Sequence, residues 1–320
     1  MNSSVFFNHL DYYIPTTKLF FDEHLSFFQN DNDSIYDEGE KFLEFSEEML
    51  NLKSVSIEKT LSLEDMALAL IQKNIDNSKI IPEKIDYIFI AVDFNDHLIS
   101  FGHFIQHHFK MEKANVIRVA DNFCANVDTA IGLAKRILKH EDKNKQILLI
   151  TGCKLEDSLK NRILGSYGVM GDSVGIALMS CDESDALAEI KAQEVVTKGV
   201  LHEVDFTKDN TILHYQTFAE CVKKIIDNNN IIISDLRKVL MHNANHLLIE
   251  TVIKSFGIDS AIIEKQNFGK FGHLGTTDLI FNLNTFIENS NCTNGNVLAI
   301  QSGATGTYAA TYFITSPRTN

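Results

Sequence analysis

Asp86-Tyr87-Ile88-Phe89-Ile90-Ala91-Val92 is an almost unbroken apolar run. A strand with one solvated face alternates apolar and polar residues, so such a run reads as a strand covered on both faces. Upstream, Ser62 with Asp65 three residues on has a capping-box pattern, and Met66, Ala67, Leu70 and Ile71 follow at helical spacing. Downstream, Val116-Ile117-Arg118-Val119 reads as a strand and Ala130 to Leu138 as a helix. Gln146-Ile147-Leu148-Leu149-Ile150-Thr151-Gly152 is another buried strand. This alternation predicts an α/β fold with a mostly parallel sheet between helical layers.

The second half repeats the theme. Lys238-Val239-Leu240-Met241 reads as a short strand that delivers His242 at its C-terminal end. Leu247, Leu248, Thr251, Val252 and Phe256 then mark a helix, which Gly257 is placed to end. Asp278 to Ile287 reads as a helix, and Val297-Leu298-Ala299-Ile300 and Tyr308 to Ile314 as closing strands. A boundary near residue 180, after Ala177-Leu178-Met179, divides the chain into halves 1–180 and 181–320.

At 320 residues, 44% hydrophobic and 22% charged, the chain has the composition of an ordinary globular protein with two sub-cores. Its net charge of −14 argues against nucleic acid, which wants a basic face. The same charge means that an acidic carrier protein would need a local basic patch. No apolar run reaches the ~18 residues of a membrane span, and Met1-Asn2-Ser3-Ser4-Val5-Phe6-Phe7 lacks the basic start of a signal peptide, so a cytoplasmic location is expected. Five scattered cysteines without a Cys-x-x-Cys pair suggest neither a disulfide framework nor a zinc site.

The chemistry centres on Cys124 in Val119-Ala120-Asp121-Asn122-Phe123-Cys124-Ala125, just ahead of a predicted helix. A thiol at a helix N-terminus feels the positive end of the macrodipole, which favours the thiolate nucleophile. Far downstream, His242-Asn243-Ala244-Asn245 and Phe271-Gly272-His273-Leu274-Gly275 supply two histidines from remote loops. A nucleophilic thiol with two such histidines is what a thioester-handling enzyme needs.

In order and spacing these segments resemble those of the thiolase-fold condensing enzymes, specifically the β-ketoacyl-acyl-carrier-protein synthase III family. Cys124-Ala125 resembles the family's Cys-Ala motif, and Met170-Gly171-Asp172-Ser173-Val174-Gly175-Ile176-Ala177 its Phe-Gly-Asp-Gly-Ala strand. His242-Asn243-Ala244-Asn245 is similar to its His-Gln-Ala-Asn, and Ser302-Gly303-Ala304-Thr305-Gly306 to its C-terminal glycine loop. The resemblance implies a five-layered αβαβα fold of two similar halves that dimerises through its N-terminal half, as a homodimer or with a related subunit. It implies acyl loading onto Cys124 from an acyl-coenzyme A or acyl-carrier-protein thioester, then decarboxylating condensation with a malonyl-type thioester in fatty acid, polyketide or specialised-metabolite synthesis. His242 and a second side chain would stabilise the enolate. The oxyanion hole would use backbone N–H groups of Cys124 and one of Ala304, Thr305 or Gly306. No permanently bound cofactor or metal is expected.

The chain departs from that family in instructive places. Gly272-His273 stands where the family has Gly-Asn, making a Cys-His-His set that resembles the elongating synthases. The family's arginine near the start has no match in Leu50-Asn51-Leu52-Lys53-Ser54-Val55, and tryptophan is absent, which weakens coenzyme A as carrier. Two other readings therefore stay open: an acyltransferase that passes the acyl group to oxygen or nitrogen without decarboxylation, and a partner subunit of a related synthase. Bland readings cover the remaining candidates. Cys153, Cys181, Cys221 and Cys292 read as packing residues, Asp172 as structural, and His103 and His107 as ordinary histidines despite their spacing of four.

Overall fold

The structure, a computed structural model, describes residues 4–29, 39–93, 100–140, 144–201, 211–289, 295–303 and 305–316. Its strands are β1 (Phe6–Tyr13), β2 (Lys18–Phe20), β3 (Ser54–Ser56), β4 (Ile85–Asp93), β5 (Asn115–Arg118), β6 (Gln146–Cys153), β7 (Ile163–Leu164), β8 (Gly168–Val169), β9 (Ser173–Ser180), β10 (Ala188–Thr197), β11 (Leu236–Leu240), β12 (Gly295–Gly303) and β13 (Thr307–Thr315). The helices are α1 (Gly39–Leu50), α2 (Leu63–Asp76), α3 (Phe101–His108), α4 (Asn126–His140), α5 (Thr211–Asn229), α6 (Leu247–Ser255) and α7 (Thr277–Asn289). The Ser62/Asp65 capping box that opens α2 is present in both directions.

The main sheet runs β11-β12-β13-β10-β1-β9-β6-β4-β5. It is mixed rather than mostly parallel. β4 pairs in parallel with β5 and β6, and β11 with β12, while β9, β1, β10 and β13 join antiparallel. A strand buried on both faces is apolar whichever way its neighbours run, so burial carries no signal of direction. β1 meets β10 only at Phe6↔Glu189 and Phe7↔Ala188, which makes the sheet two half-sheets joined at a corner.

The two half-sheets are alike. In one, β4 lies parallel to β6, which continues antiparallel to β9 and then β1. In the other, β11 lies parallel to β12, which continues antiparallel to β13 and then β10. Alternation along the strands sorts the apolar side chains into layers. Phe89, Ile147, Leu149 and Met179 from the first half-sheet and Leu240, Val297, Ala299 and Phe313 from the second pack on α4 and α7 between them. Ile88, Ile90, Leu148 and Ile176 turn outward onto α2 and α3. Met241, Leu298, Ile300 and Tyr308 turn outward onto α5 and α6. The order is helix, sheet, helix, sheet, helix, the expected five layers. Every residue of α7 from Thr277 to Ile287 is buried, so polar groups there must find partners inside the protein.

This doubling positions the site. Cys124 lies directly ahead of α4, and His273 directly ahead of α7, so corresponding ends of the two central helices bring chemistry from both halves together.

Candidate active site

Asp121 and Phe123 hold left-handed backbone angles, φ 72° and 46°, and bend the chain sharply between β5 and α4. Such angles cost non-glycine residues roughly 1–2 kcal/mol each, so the turn needs outside support. Asn122 N–H donates to Asn126 Oδ1 (3.0 Å), and Asn122 Oδ1 accepts from Thr307 Oγ1 (2.9 Å). Thr305 Oγ1 donates to the Asp121 carbonyl (3.1 Å). The turn between β12 and β13 therefore clamps the cysteine turn. Gly303 makes the close approach: a Cβ there would stand 2.1 Å from the Asn122 carbonyl oxygen.

Cys124 is 2% exposed, and its Sγ lies 3.0 Å from Nε2 of His273. His273 is held by its backbone, since its N–H donates to Val169 O (2.8 Å) and its carbonyl accepts from Gly171 N–H (2.9 Å). Gly272 before it needs φ +87°, and a Cβ there would stand 2.6 Å from Val55 Cγ1 and 2.8 Å from Val169 O. Behind the ring, His273 Nδ1 lies 2.5 Å from Asp278 Oδ2. Asp278 also accepts from Asn243 N–H (2.9 Å), Asn243 Nδ2 (2.6 Å) and Leu274 N–H (3.3 Å). Four donors converge on Asp278 in the first turn of α7, and its Oδ2 as acceptor at Nδ1 fixes the ring proton there. In that tautomer Nε2 of His273 presents a lone pair to the thiol.

His242 belongs to the same cluster. Its ring centre is 5.0 Å from that of His273, edge to face, and its Nδ1 lies 3.9 Å from Asp278 Oδ2. Its Nε2 accepts the Ser302 amide N–H, so the proton of the neutral ring sits on Nδ1. That Nδ1 is buried without a hydrogen-bond partner among the described residues. Burial and the neighbouring His273 hold the His242 pKa well below the usual histidine value, so the ring stays neutral.

The thiol is not a standing thiolate. Burial, then the carboxylates of Asp93 and Asp278, push the Cys124 pKa well above the usual cysteine value. Desolvation outweighs the helix terminus expected to lower it, and activation falls to His273 as a base. Asp93 is itself pushed up to about 7 by burial, with Thr276 N–H donating to its Oδ2 (2.7 Å).

The oxyanion-hole residues divide. Gly306 spends its N–H on the Gly303 carbonyl (3.1 Å) in the turn, which removes it as a donor. Thr305 is tied to the cysteine turn through the Asp121 carbonyl, and Ala304 lies outside the described residues. His242, His273 and Asp278 offer ligand atoms within 4.8 Å of one another, close enough for a metal ion. An ion there would meet His242 Nδ1, which carries that ring's proton because Ser302 N–H donates to Nε2, and Asp278 oxygens that already accept from Asn243 and Leu274. The other candidates lie elsewhere. Asp172 is in a buried ion pair with Arg162 (2.7 Å), His103 and His107 are exposed on α3, Cys153 and Cys221 are buried, and Cys292 lies outside the described residues. Asn245 Oδ1 accepts Leu247 N–H (3.1 Å) just ahead of α6.

Residues 226–314 match the family model of the 3-oxoacyl-[acyl-carrier-protein] synthase III C-terminal region. A β-ketoacyl-[acyl-carrier-protein] synthase III from Clostridium perfringens is 23% identical over 260 residues, covering 72% of this chain and 79% of that protein. Among solved structures, ChlB3, an acyltransferase, superposes with a TM-score of 0.80 at 16% identity, covering 98% of this chain and 99% of its own. The 3-oxoacyl-[acyl-carrier-protein] synthase III of Aquifex aeolicus VF5 gives 0.76 at 16%, covering 97% and 99%. The fold is shared along the whole chain. Among the described residues no helix is long and apolar enough to cross a membrane.

Proposed function

We propose that this chain, a divergent synthase III-like member of the thiolase-fold proteins, is a cysteine acyltransferase that moves an acyl group from a thioester to a hydroxyl or amine. The observation that carries this reading is the continuous line from Cys124 Sγ through His273 to Asp278, at 3.0 and 2.5 Å. His273 Nε2 takes the thiol proton, and Asp278 stabilises the imidazolium through Nδ1–H. The sulfur attacks the thioester carbonyl, and the proton passes to the leaving thiol as the carrier departs. With the acyl group on Cys124, neutral His273 again offers its Nε2 lone pair and takes a proton from the acceptor. The acceptor attacks, and the proton returns to the Cys124 sulfur as the ester or amide leaves.

The same hydrogen bonds weigh against condensation. An enolate formed by decarboxylation calls for N–H donors at its oxygen. Asp278 keeps the proton of neutral His273 on the far nitrogen, and the Ser302 amide occupies Nε2 of His242. Of the two histidines, His242 alone can then donate, through Nδ1. ChlB3, an acyltransferase, agrees with transfer and the synthases with condensation, so the reading rests on the site. Coenzyme A or a carrier protein is the proposed carrier of the donor thioester, and the enzyme is proposed to act as a dimer in the cytoplasm.

The test is to incubate the protein with a panel of acyl and malonyl thioesters, following intact mass and carbon dioxide together. Acyl adducts on Cys124 without carbon dioxide release, discharged by small alcohols or amines, are expected. Carbon dioxide release from a malonyl thioester with a ketoacyl product would replace this reading with condensation. Absence of any adduct would remove both.

A further inference from the structure

The reactive groups are sealed in: Cys124 is 2% exposed, His242 1% and His273 0%. A thioester cannot reach the sulfur without movement of a neighbouring group. Tyr167 is that group's best candidate by position, being half-buried, with a ring that reaches both histidines. Its ring centre lies 5.6 Å from that of His273 and 6.2 Å from that of His242, edge to face in both cases. Its hydroxyl lies 2.5 Å from Ser302 Oγ and 3.2 Å from the Ser302 carbonyl. Burial of that hydroxyl end pushes the phenol pKa well above its ordinary value, so it stays a neutral donor.

The backbone beneath the ring is fixed. Tyr167 N–H donates to Leu164 O (2.9 Å) across the β7–β8 turn, and its carbonyl accepts Asn245 N–H (2.7 Å). Asn245 Nδ2 also donates to Ser166 O (3.0 Å), tying the turn to the loop that carries His242. The side chain is left as the movable part, with Ser302 as its latch.

We propose that Tyr167 is the gate to Cys124, closed by its hydroxyl on Ser302 and opened by rotation of its side chain, and that it sets which donors and acceptors enter. The gate takes its meaning from Cys124 as the acyl-accepting sulfur, but its test reads access to that sulfur alone, so failure of acyl transfer and failure of the gate are separable. Tyr167→Phe keeps the ring and removes the latch. Losing a hydrogen bond of ordinary net strength raises the open population roughly two- to twelvefold. Alkylation of Cys124 by iodoacetamide, followed by peptide mass, should quicken by that factor in Tyr167→Phe and further in Tyr167→Ala. Ser302→Ala keeps the carbonyl acceptor and should give a smaller rise. The ratio of variant to wild type should stay constant across pH, because access and not thiol ionisation has changed. Buried Cys153 is the internal control and should label no faster. Unchanged Cys124 labelling in Tyr167→Phe, a ratio that drifts with pH, or a parallel rise at Cys153 would each overturn the gate, whether or not Tyr167→Ala folds.

Discussion

Nε2 of His273, and not of His242, faces the sulfur of Cys124, at 3.0 Å, while His242 spends its own Nε2 on the Ser302 amide. The histidine most easily matched by motif is therefore the one turned away from the thiol. His273→Ala should slow acyl loading by about 10²- to 10⁴-fold at neutral pH, and His242→Ala should slow it less. Because burial holds the Cys124 pKa above its ordinary value, loading in His273→Ala should climb about tenfold per pH unit as thiolate forms, whereas the wild type stays flatter. Time courses of intact mass across neutral to alkaline pH measure both. A larger loss in His242→Ala would reverse the roles.

Asp278 is the groove in which the base is set. Asp278→Asn keeps the shape but removes the charge that stabilises the imidazolium and the acceptor that fixes its tautomer. Transfer should fall by about 10²- to 10⁴-fold. Three N–H groups of Asn243 and Leu274 donate to it, and an amide must turn a donor toward one of them. A loss of roughly 1–3 kcal/mol in stability is expected alongside. Steady-state rates and thermal unfolding separate the two effects, and a fully active Asp278→Asn would remove the carboxylate from the chemistry.

Why Asp278 escaped a reading of the sequence is physical. Cys124 and His242 sit in short local patterns, and His273 between glycines, so all three were legible. Asp278 read only as the start of an apolar helix, because its contacts with His273 and Asn243 exist only once α7 is buried on every side. A usable signal was there: a carboxylate in an otherwise apolar helix, five residues after a candidate histidine, must find buried partners. Tyr167 gave no such signal, since it lies in a two-residue-strand hairpin whose placement is wholly tertiary. The βα elements were legible from buried strands and helical spacing and the five layers from the family resemblance, but strand direction was not.

Gly303 tests the clamp on the cysteine turn. Its missing Cβ would meet the Asn122 carbonyl oxygen at 2.1 Å, a backbone atom that can move only with the turn carrying Cys124. Gly303→Ala should cost roughly 1–3 kcal/mol and depress acyl loading by more than the loss of folded protein explains. At Gly199 an added Cβ meets nothing within 4 Å, and Gly199→Ala should stay within about ±0.5 kcal/mol with normal loading. Equal behaviour of the two variants would mean that the clamp does not position the sulfur.

The last expectation concerns Asp128, buried in the first turn of α4. Its Oδ1 accepts from Thr311 Oγ1 (2.7 Å), but its Oδ2 is buried without a partner among the described residues. Burial raises its pKa from the ordinary 3.8 to about 7. Between those values the folded protein holds a proton that the unfolded chain releases, so stability must fall as pH rises through this window. The contribution is fully present below about pH 4 and lost above about pH 7, on the order of a few kcal/mol. Asp93, raised in the same direction, adds to the trend. Asp128→Asn keeps an acceptor for Thr311 and cannot ionise. It should match the wild type in acid, exceed it in denaturant midpoint at neutral and alkaline pH, and show a shallower decline between. Parallel curves for the two proteins would mean that Asp128 is not the group that titrates, and the decline would then fall to Asp93 beside the active site.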